Sequence, residues 1–450
     1  MEVMAIRGVE ALDRHYSAFE GNWTVADRSA DYGRLVVPHG NSGEPLYRWF
    51  HLKEAFSSRL LDQLLTEIDL SAGPDLSIAD PFAGSGTTLL SGISTCEGSG
   101  HRADVFGVER NPFIWELAQA KVQARISGSA ITGMVVAELE KIRRFYADME
   151  SECFAVPGLS TLRNEEYFPS DRIQSLMRIR HAIEAGASEV TRSIFRVCLA
   201  SCVEPASRLR RDGRALRFEP SREPKEPWDL FQQRVELIRQ DLAATKPAAS
   251  GGEVSLGDAR QVANLAGERK FDLILFSPPY PNNIDYTEIY KAEAWVLGCY
   301  GSDAEMKAQR QRTIRSHPSV RFSRKYSYMQ SGIASDVQSL IDPIVSHVPV
   351  GDRYHEGRKE VIIGYADDML KVLVECRQVI RDNGRLVFVV GNSLHGSGDG
   401  KYVIAADVIM GRLAELCGWR VSDVKIARML KRRAGESAFL RESLVVLEPA

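Results

Sequence analysis

A chain of 450 residues exceeds what one small core needs and, at roughly one domain per 150 residues, allows two or three units, which excludes a peptide hormone or a disulfide miniprotein. Its 57 basic and 60 acidic residues leave a net charge of −3, with 44% hydrophobic and 26% charged positions, so any nucleic-acid binding must come from local patches rather than from bulk attraction. Seven scattered cysteines without a CxxC pair fit a reducing, cytoplasmic setting. Cys198 and Cys202 make only half a zinc site, so both are expected to pack and no metal is expected.

The first 22 residues carry acidic groups and no apolar stretch of the kind a secretory signal needs, so no export is expected. No run of 18 apolar residues suggests a membrane span. Residues 1–45, with turn signals in VVPHGNSGEP, read as an arm or irregular lead-in. FSSRLLDQLLTEIDL predicts a helix capped by Ser57 or Ser58 and stopped at Gly73-Pro74. Two βα units follow, in SIADPFAGSGTTLLSGIS and ADVFGVERNPFIWELAQAKVQARI. The alternation returns in GEVSLGDARQV, in KFDLILFSPPY and in residues 364–390, where Asn383-Gly384 is the expected turn. WRVSDVKIARML and RESLVVLEP close the chain as an expected antiparallel pair.

This order predicts an α/β fold with a mostly parallel sheet covered by helices on both faces. Two stretches are too long for loops. Residues 123–250 read as a helical insertion ending in the linker TKPAASGG, and residues 300–360 as a basic, aromatic-containing insertion. The remaining core divides into 46–122, 251–299 and 361–450.

Chemistry concentrates at the predicted strand ends. In DPFAGSGTT (residues 80–88) glycines fall where a strand gives way to a helix and where backbone must approach a ligand. The P-loop lysine is missing and Asp80 would repel phosphate, so a ligand bearing a cation fits better. Glu109, ending the next strand, is placed to accept hydrogen bonds from two ribose hydroxyls, which makes the ligand a nucleoside.

Together with Ser277-Pro278-Pro279-Tyr280, this motif resembles the amino-methyltransferases that use S-adenosylmethionine, specifically the DNA N4-cytosine and N6-adenine methylases, over roughly 46–122 and 251–450. The resemblance implies a Rossmann-like, seven-stranded methyltransferase sheet. It implies that Asp80, Pro81, Phe82, Ala83, Gly84, Ser85, Gly86, Thr87 and Thr88 hold the methionine portion of the cofactor. Glu109 and Arg110 would bind ribose, and Asp258 with Ala259 would meet the adenine amino group; Asp258 as a plain loop cap is the alternative. Phe56 and Ser57 resemble the segment closing over the methionine end, although Ser58 stands where the family commonly has proline, and Ser57 as a helix cap is the other reading.

The tetrad has its own chemical logic. The lone pair of an exocyclic base amine is delocalised into the ring, so acceptors must grip its hydrogens before it attacks a sulfonium methyl. The Ser277 hydroxyl and the Pro278 carbonyl can do so, with Pro279 stiffening the turn and Tyr280 stacking on a flipped base. Flipping costs a few kcal/mol, which stacking worth roughly 1 to 3 kcal/mol offsets. Serine in the first place resembles the cytosine N4 enzymes. The lack of any Pro-Cys pair excludes attack through carbon 5.

Tyr286 and Tyr290 are expected to share a helical face and pack, and no chemistry is assigned to Val390-Gly391-Asn392-Ser393. Three basic clusters could meet DNA. One comprises Arg208, Arg210, Arg211, Arg214 and Arg217, and another Lys425, Arg428, Lys431, Arg432 and Arg433. The favoured one, Arg310, Arg312, Arg315, Arg321, Arg324 and Lys325, interleaves with Phe322, Tyr326 and Tyr328. The expected partner is double-stranded DNA, in restriction-modification or phage defence with its associated proteins. The alternatives are an adenine N6 methylase, an RNA amino-methyltransferase, or a non-catalytic DNA-binding subunit, against which intact Asp80, Gly86, Glu109, Ser277 and Tyr280 count.

Overall fold

The computed structural model describes residues 2–68, 70, 75–157, 160–212, 215–282, 284–322, 324–430 and 437–450. Its main sheet has eight strands: β1 (Val25–Asp27), β2 (Leu76–Asp80), β3 (Ala103–Glu109), β4 (Gly251–Leu256), β5 (Phe271–Phe276), β6 (Ile380–Gly391), β7 (Trp419–Met429) and β8 (Arg441–Pro449). They lie in the order β1-β7-β8-β6-β5-β2-β3-β4. β8 is antiparallel to both neighbours, and the other pairings are parallel. This is the expected Rossmann-like methyltransferase sheet, with the three-residue β1 added at one edge. β5 (FDLILF) is buried along its whole length, as a strand covered on both faces must be.

From β2 the chain runs outward through β3 to β4, while β5 returns to the other side of β2. The carboxyl ends of β2 and β5 therefore flank a topological switch point, where open α/β sheets leave a crevice. Asp80 ends β2, and Ser277 directly follows β5.

The helices that bear on the site are α1 (Glu2–Glu20), α2 (Thr87–Gly98), α3 (Pro112–Ser127), α4 (Thr132–Asp148), α5 (Ser170–Gly186), α6 (Glu189–Val203), α7 (Pro227–Ala244), α8 (Asp303–Arg312), α9 (Ala334–Ser346), α10 (His355–Val379) and α11 (Ala406–Glu415). α1, α9, α10 and α11 share a core with one sheet face, through residues such as Leu12, Leu340, Met369 and Val408. Leu61, Leu89 and Val122 belong to the core of the other. Helices α4 to α7 build a core of their own around Ile142, Ile183, Phe195 and Phe231, continuous with α3. Buried Asp241 of α7 ties this unit to the lead-in, accepting from Leu46 N (3.0 Å) and Trp49 Nε1 (2.9 Å) and pairing with Arg48.

Several local expectations are corrected. Residues 1–45 are not a loose arm: Val9, Leu12 and Tyr16 sit one turn apart on α1 and enter the main core, and the Tyr16 hydroxyl donates to Val403 O at 2.7 Å. The intervening charges hid that stripe. The helix expected after Phe56 spans only Leu60–Leu65 and follows Arg59, because the Ser57 hydroxyl donates to His39 O (3.0 Å) and the Ser58 amide donates to Asn41. Its expected stop at Gly73-Pro74 lies outside the described residues. Asn383 and Gly384 fall within β6, where the register jumps from Ile380 to Arg385 while β5 advances only from Phe271 to Leu273. Cys198 and Cys202 are buried packing residues, and the terminal hairpin forms as β7 and β8.

Candidate active site

Each candidate group is placed by a strand end. After β2 the chain turns through Gly84 (φ +52°) and Gly86 (φ +81°) into α2, conformations that favour glycine. Asp80 braces this turn: Oδ1 accepts from Phe82 N (2.9 Å) and Oδ2 from the Thr88 hydroxyl (2.5 Å). Glu109 braces it from β3, with Oε2 accepting from Gly84 N (3.0 Å) and Oε1 from Asn111 N (2.8 Å). Burial, joined at Asp80 by the charge of Glu109, outweighs the hydrogen bonds that lower each carboxyl and leaves both pKa values raised to about 7. Among the described residues no basic side chain is paired with either. Two such carboxyls fit a ligand that brings positive charge with it.

Asp258, beyond β4, is in the opposite condition. Burial raises its pKa, but the Arg260 hydrogen bond and the charges of Arg260 and Arg110 outweigh that and leave it lowered. It accepts from Arg260 N (3.0 Å) and pairs with Arg260 (2.7 Å) and Arg110 (3.3 Å). Asp258 thus caps its loop, and the group also faces the cavity described next.

One cavity of about 350 Å³ joins these ends. Its walls include Phe56, Asp80, Gly84, Glu109, Asp258 and all of Ser277, Pro278, Pro279 and Tyr280. Pro81, Phe82, Ala83, Ser85, Thr87, Arg110 and Ala259 also line it, whereas Ser57, Gly86 and Thr88 do not. Thr88 acts behind the wall through Asp80, and Gly86 approaches Ala118 of α3.

In the tetrad, the Ser277 hydroxyl donates to the Tyr280 hydroxyl (3.2 Å), which donates to Glu442 Oε1 on β8 (2.9 Å). Glu442 also pairs with Arg428, its cross-strand partner on β7. The Tyr280 ring lies over Gly391: a Cβ there would stand 2.9 Å from its Cε2. Ser393 donates to Pro281 O at 2.9 Å, steadying the loop after the tetrad. The stretch to which no chemistry was assigned therefore seats the tetrad.

Sequence reasoning missed several cavity residues. Tyr290 packs in a core as expected, Tyr286 is only half-buried, and both line the cavity, where the Tyr290 hydroxyl donates to Glu54 Oε2 (2.6 Å). Glu442 and Arg428 line it from strands read only as a terminal hairpin. Lys53, Arg312 and His317 add basic side chains to its wall.

The favoured basic cluster divides. Arg315 as a DNA contact is corrected: only 5% exposed, it is locked among Glu360, Asp367 and Asp368, the last at 2.8 Å. Arg310 pairs with Asp285 (2.7 Å) and Glu288, and Arg324 with exposed Glu356. Arg312, Arg321 and Lys325 are exposed, and of the whole cluster Arg312 alone reaches the cavity. Tyr328 is buried and the Tyr326 hydroxyl donates to Glu360. In the outer clusters Arg211 is buried against Glu204 and Glu293, and Lys425 against Glu67 and Asp423. Arg214, Lys431, Arg432 and Arg433 lie outside the described residues.

The sheet order and the crevice at its switch point define a Rossmann-like α/β fold of the kind methyltransferases use. No protein-family model matches the chain. It is similar to the Type II methyltransferase M.AvaI of Nostoc sp. and of Anabaena variabilis, 25% identical over 423 residues that cover 87% of this chain and 83% of the relative. It is also similar to the Type II methyltransferase M.BsoBI of Geobacillus stearothermophilus, 22% identical over 92% of this chain and 86% of the relative. A solved rRNA methyltransferase, aviRa from Streptomyces viridochromogenes, aligns over 93% of this chain and 92% of its own with 12% identity and a TM-score of 0.31.

Among the described residues no helix is long and apolar enough to cross a membrane.

Proposed function

We propose that this protein is a site-specific DNA methyltransferase that moves a methyl group from S-adenosylmethionine to the exocyclic N4 amine of a flipped cytosine. The observation carrying this reading is the shared cavity: the carboxyl groups of Asp80 and Glu109 and the tetrad at Ser277–Tyr280 face one space. Similarity to relatives named as Type II methyltransferases supports the same class of reaction.

The bound cofactor supplies an electrophilic methyl on a sulfonium sulfur. Asp80 and Glu109 would receive its positive charge and its nucleoside hydroxyls, in the ionised forms that burial alone disfavours. Ser277 Oγ and Pro278 O accept the amine hydrogens and aim its lone pair. Tyr280 and Tyr286 offer ring faces to the everted base, while Arg312 and Lys53 offer charge to the strand it leaves.

The decisive test is to incubate the protein with duplex DNA and labelled cofactor, digest to nucleosides and identify the methylated one by mass. N4-methylcytosine is expected. Methyl on adenine overturns the inference from Ser277, and methyl on RNA alone overturns the substrate class. Ser277→Ala is expected to lower the single-turnover rate by roughly 100-fold or more while leaving cofactor affinity within about twofold.

A further inference from the structure

The tetrad does not end at Tyr280. A carboxylate accepts hydrogen bonds and donates none, so the contact at Glu442 Oε1 (2.9 Å) fixes the direction of the neighbouring bonds. Tyr280 must donate to Glu442, and its oxygen is left to accept from the Ser277 hydroxyl at 3.2 Å. The serine oxygen, its own hydrogen thus turned away, keeps its lone pairs for a donor in the cavity it lines.

The backbone builds this alignment. Glu442 on β8 is the register partner of Gly391 on β6 and of Arg428 on β7. The missing side chain at Gly391 is what lets the tyrosine ring come close to the end of β6 and reach across to Glu442. Arg428 occupies the second oxygen of Glu442 and is itself 41% exposed, so the chain of donors leads from the cavity to solvent.

We propose that Ser277, Tyr280 and Glu442 form a proton wire that carries the hydrogen lost by the target amine to Glu442. This rests on the methyltransferase reading above. As the nitrogen lone pair forms the N–C bond, the C–S bond electrons return to sulfur, and the nitrogen becomes cationic. Its proton passes to Ser277 Oγ, the serine proton to the Tyr280 oxygen, and the tyrosine proton to Glu442 Oε1. The sulfonium charge and the carboxylate charge disappear together, and both side-chain hydroxyls are left as they began. Glu442, neutral after the transfer, returns the proton to solvent on the Arg428 side. Glu442 acts through the two hydroxyls and touches neither base nor cofactor in this scheme.

Three variants separate this role from simple positioning. Glu442→Gln keeps an oxygen to accept from Tyr280 but has no capacity to take up a proton; Glu442→Ala removes both; Tyr280→Phe cuts the wire and leaves the ion pair to Arg428 in place. The measurements are single-turnover transfer to duplex DNA at saturating cofactor, cofactor affinity by calorimetry, and thermal melting to verify folding. All three variants are expected to lose about 100-fold in rate with affinity within about twofold, since proton transfer by a positioned group contributes roughly 100- to 10,000-fold. A merely positional Glu442 would spare the glutamine variant, and that result overturns the wire.

A readout independent of turnover is the infrared carboxylate band of ¹³C-glutamate-labelled protein without cofactor. The Glu442 band, identified by its loss in Glu442→Gln, is expected to move in Tyr280→Phe; an unmoved band overturns the wire even if those variants are slow. A wild type that transfers no methyl group to DNA while showing the band shift overturns the methyltransferase reading and the wire's role with it. A wild type that methylates DNA beside a fully active Glu442→Gln overturns the wire alone.

Discussion

Asp80→Asn separates the charge in the crevice at the sheet's switch point from its shape. Asp80 is 3% exposed, and burial lifts its carboxyl pKa from 3.8 to about 7. At about 1.4 kcal/mol per pK, keeping it ionised in the folded chain costs on the order of 4 kcal/mol. Between about pH 4 and about 7 the folded chain holds a proton there that the unfolded chain has released. The folded state binds more protons in that window, so stability falls as pH rises through it and levels above it. Glu109, also raised to about 7, adds the same sign. Asparagine keeps an acceptor for Phe82 N and turns its amide toward the Thr88 hydroxyl, which can accept, so the shape of the turn survives.

Urea unfolding of the cofactor-free protein at pH 5, 6, 7 and 8 is the assay, read as the difference between wild type and variant so that other titrating groups cancel. The variant is expected to lose about half as much stability as the wild type over that range and to be more stable at pH 8 by roughly 2 kcal/mol, half the ceiling of about 4. S-adenosylmethionine reverses the order at pH 8, stabilising the wild type by mass action and the variant much less. Parallel pH profiles for the two proteins would refute the account of the crevice as an anionic site waiting for a cation.

Gly391→Ala places a methyl group 2.9 Å from the Tyr280 ring, and overpacking of this kind costs about 1 to 3 kcal/mol; a transfer rate reduced by more than tenfold with near-normal cofactor binding is expected, and normal kinetics would show that the ring's seat is immaterial. Arg315→Met takes one of two cationic partners from each of buried Asp367 and Asp368, which keep Lys371 and Arg260, and is expected to destabilise the protein by about 1 to 3 kcal/mol, measured by denaturation. Arg312→Ala is expected to do the reverse: no change in stability within about 0.5 kcal/mol, and a salt dependence of DNA affinity weaker by about one ion.

The divided fate of those arginines shows what the sequence could convey. Asp80, Glu109 and Ser277 were legible because each follows a short apolar run, and in a parallel sheet the ends of such runs converge at one edge. Local pattern plus one topological rule was enough to bring together groups almost 200 positions apart. Arg315 was misread because a basic, aromatic segment looks the same whether its charges face solvent or a carboxylate cage, and the cage belongs to α10, some 50 residues on. Glu442 was invisible for a related reason. Its proposed role depends on lying opposite a glycine on β6 and an arginine on β7, and cross-strand register leaves no spacing signal in the chain. Residues whose role follows from where a strand ends can be found by pattern. Those whose role follows from what lies across the sheet need the register, which is why the first half of the proposed hydrogen-bond chain, Ser277 and Tyr280, was readable in advance and its terminus was not.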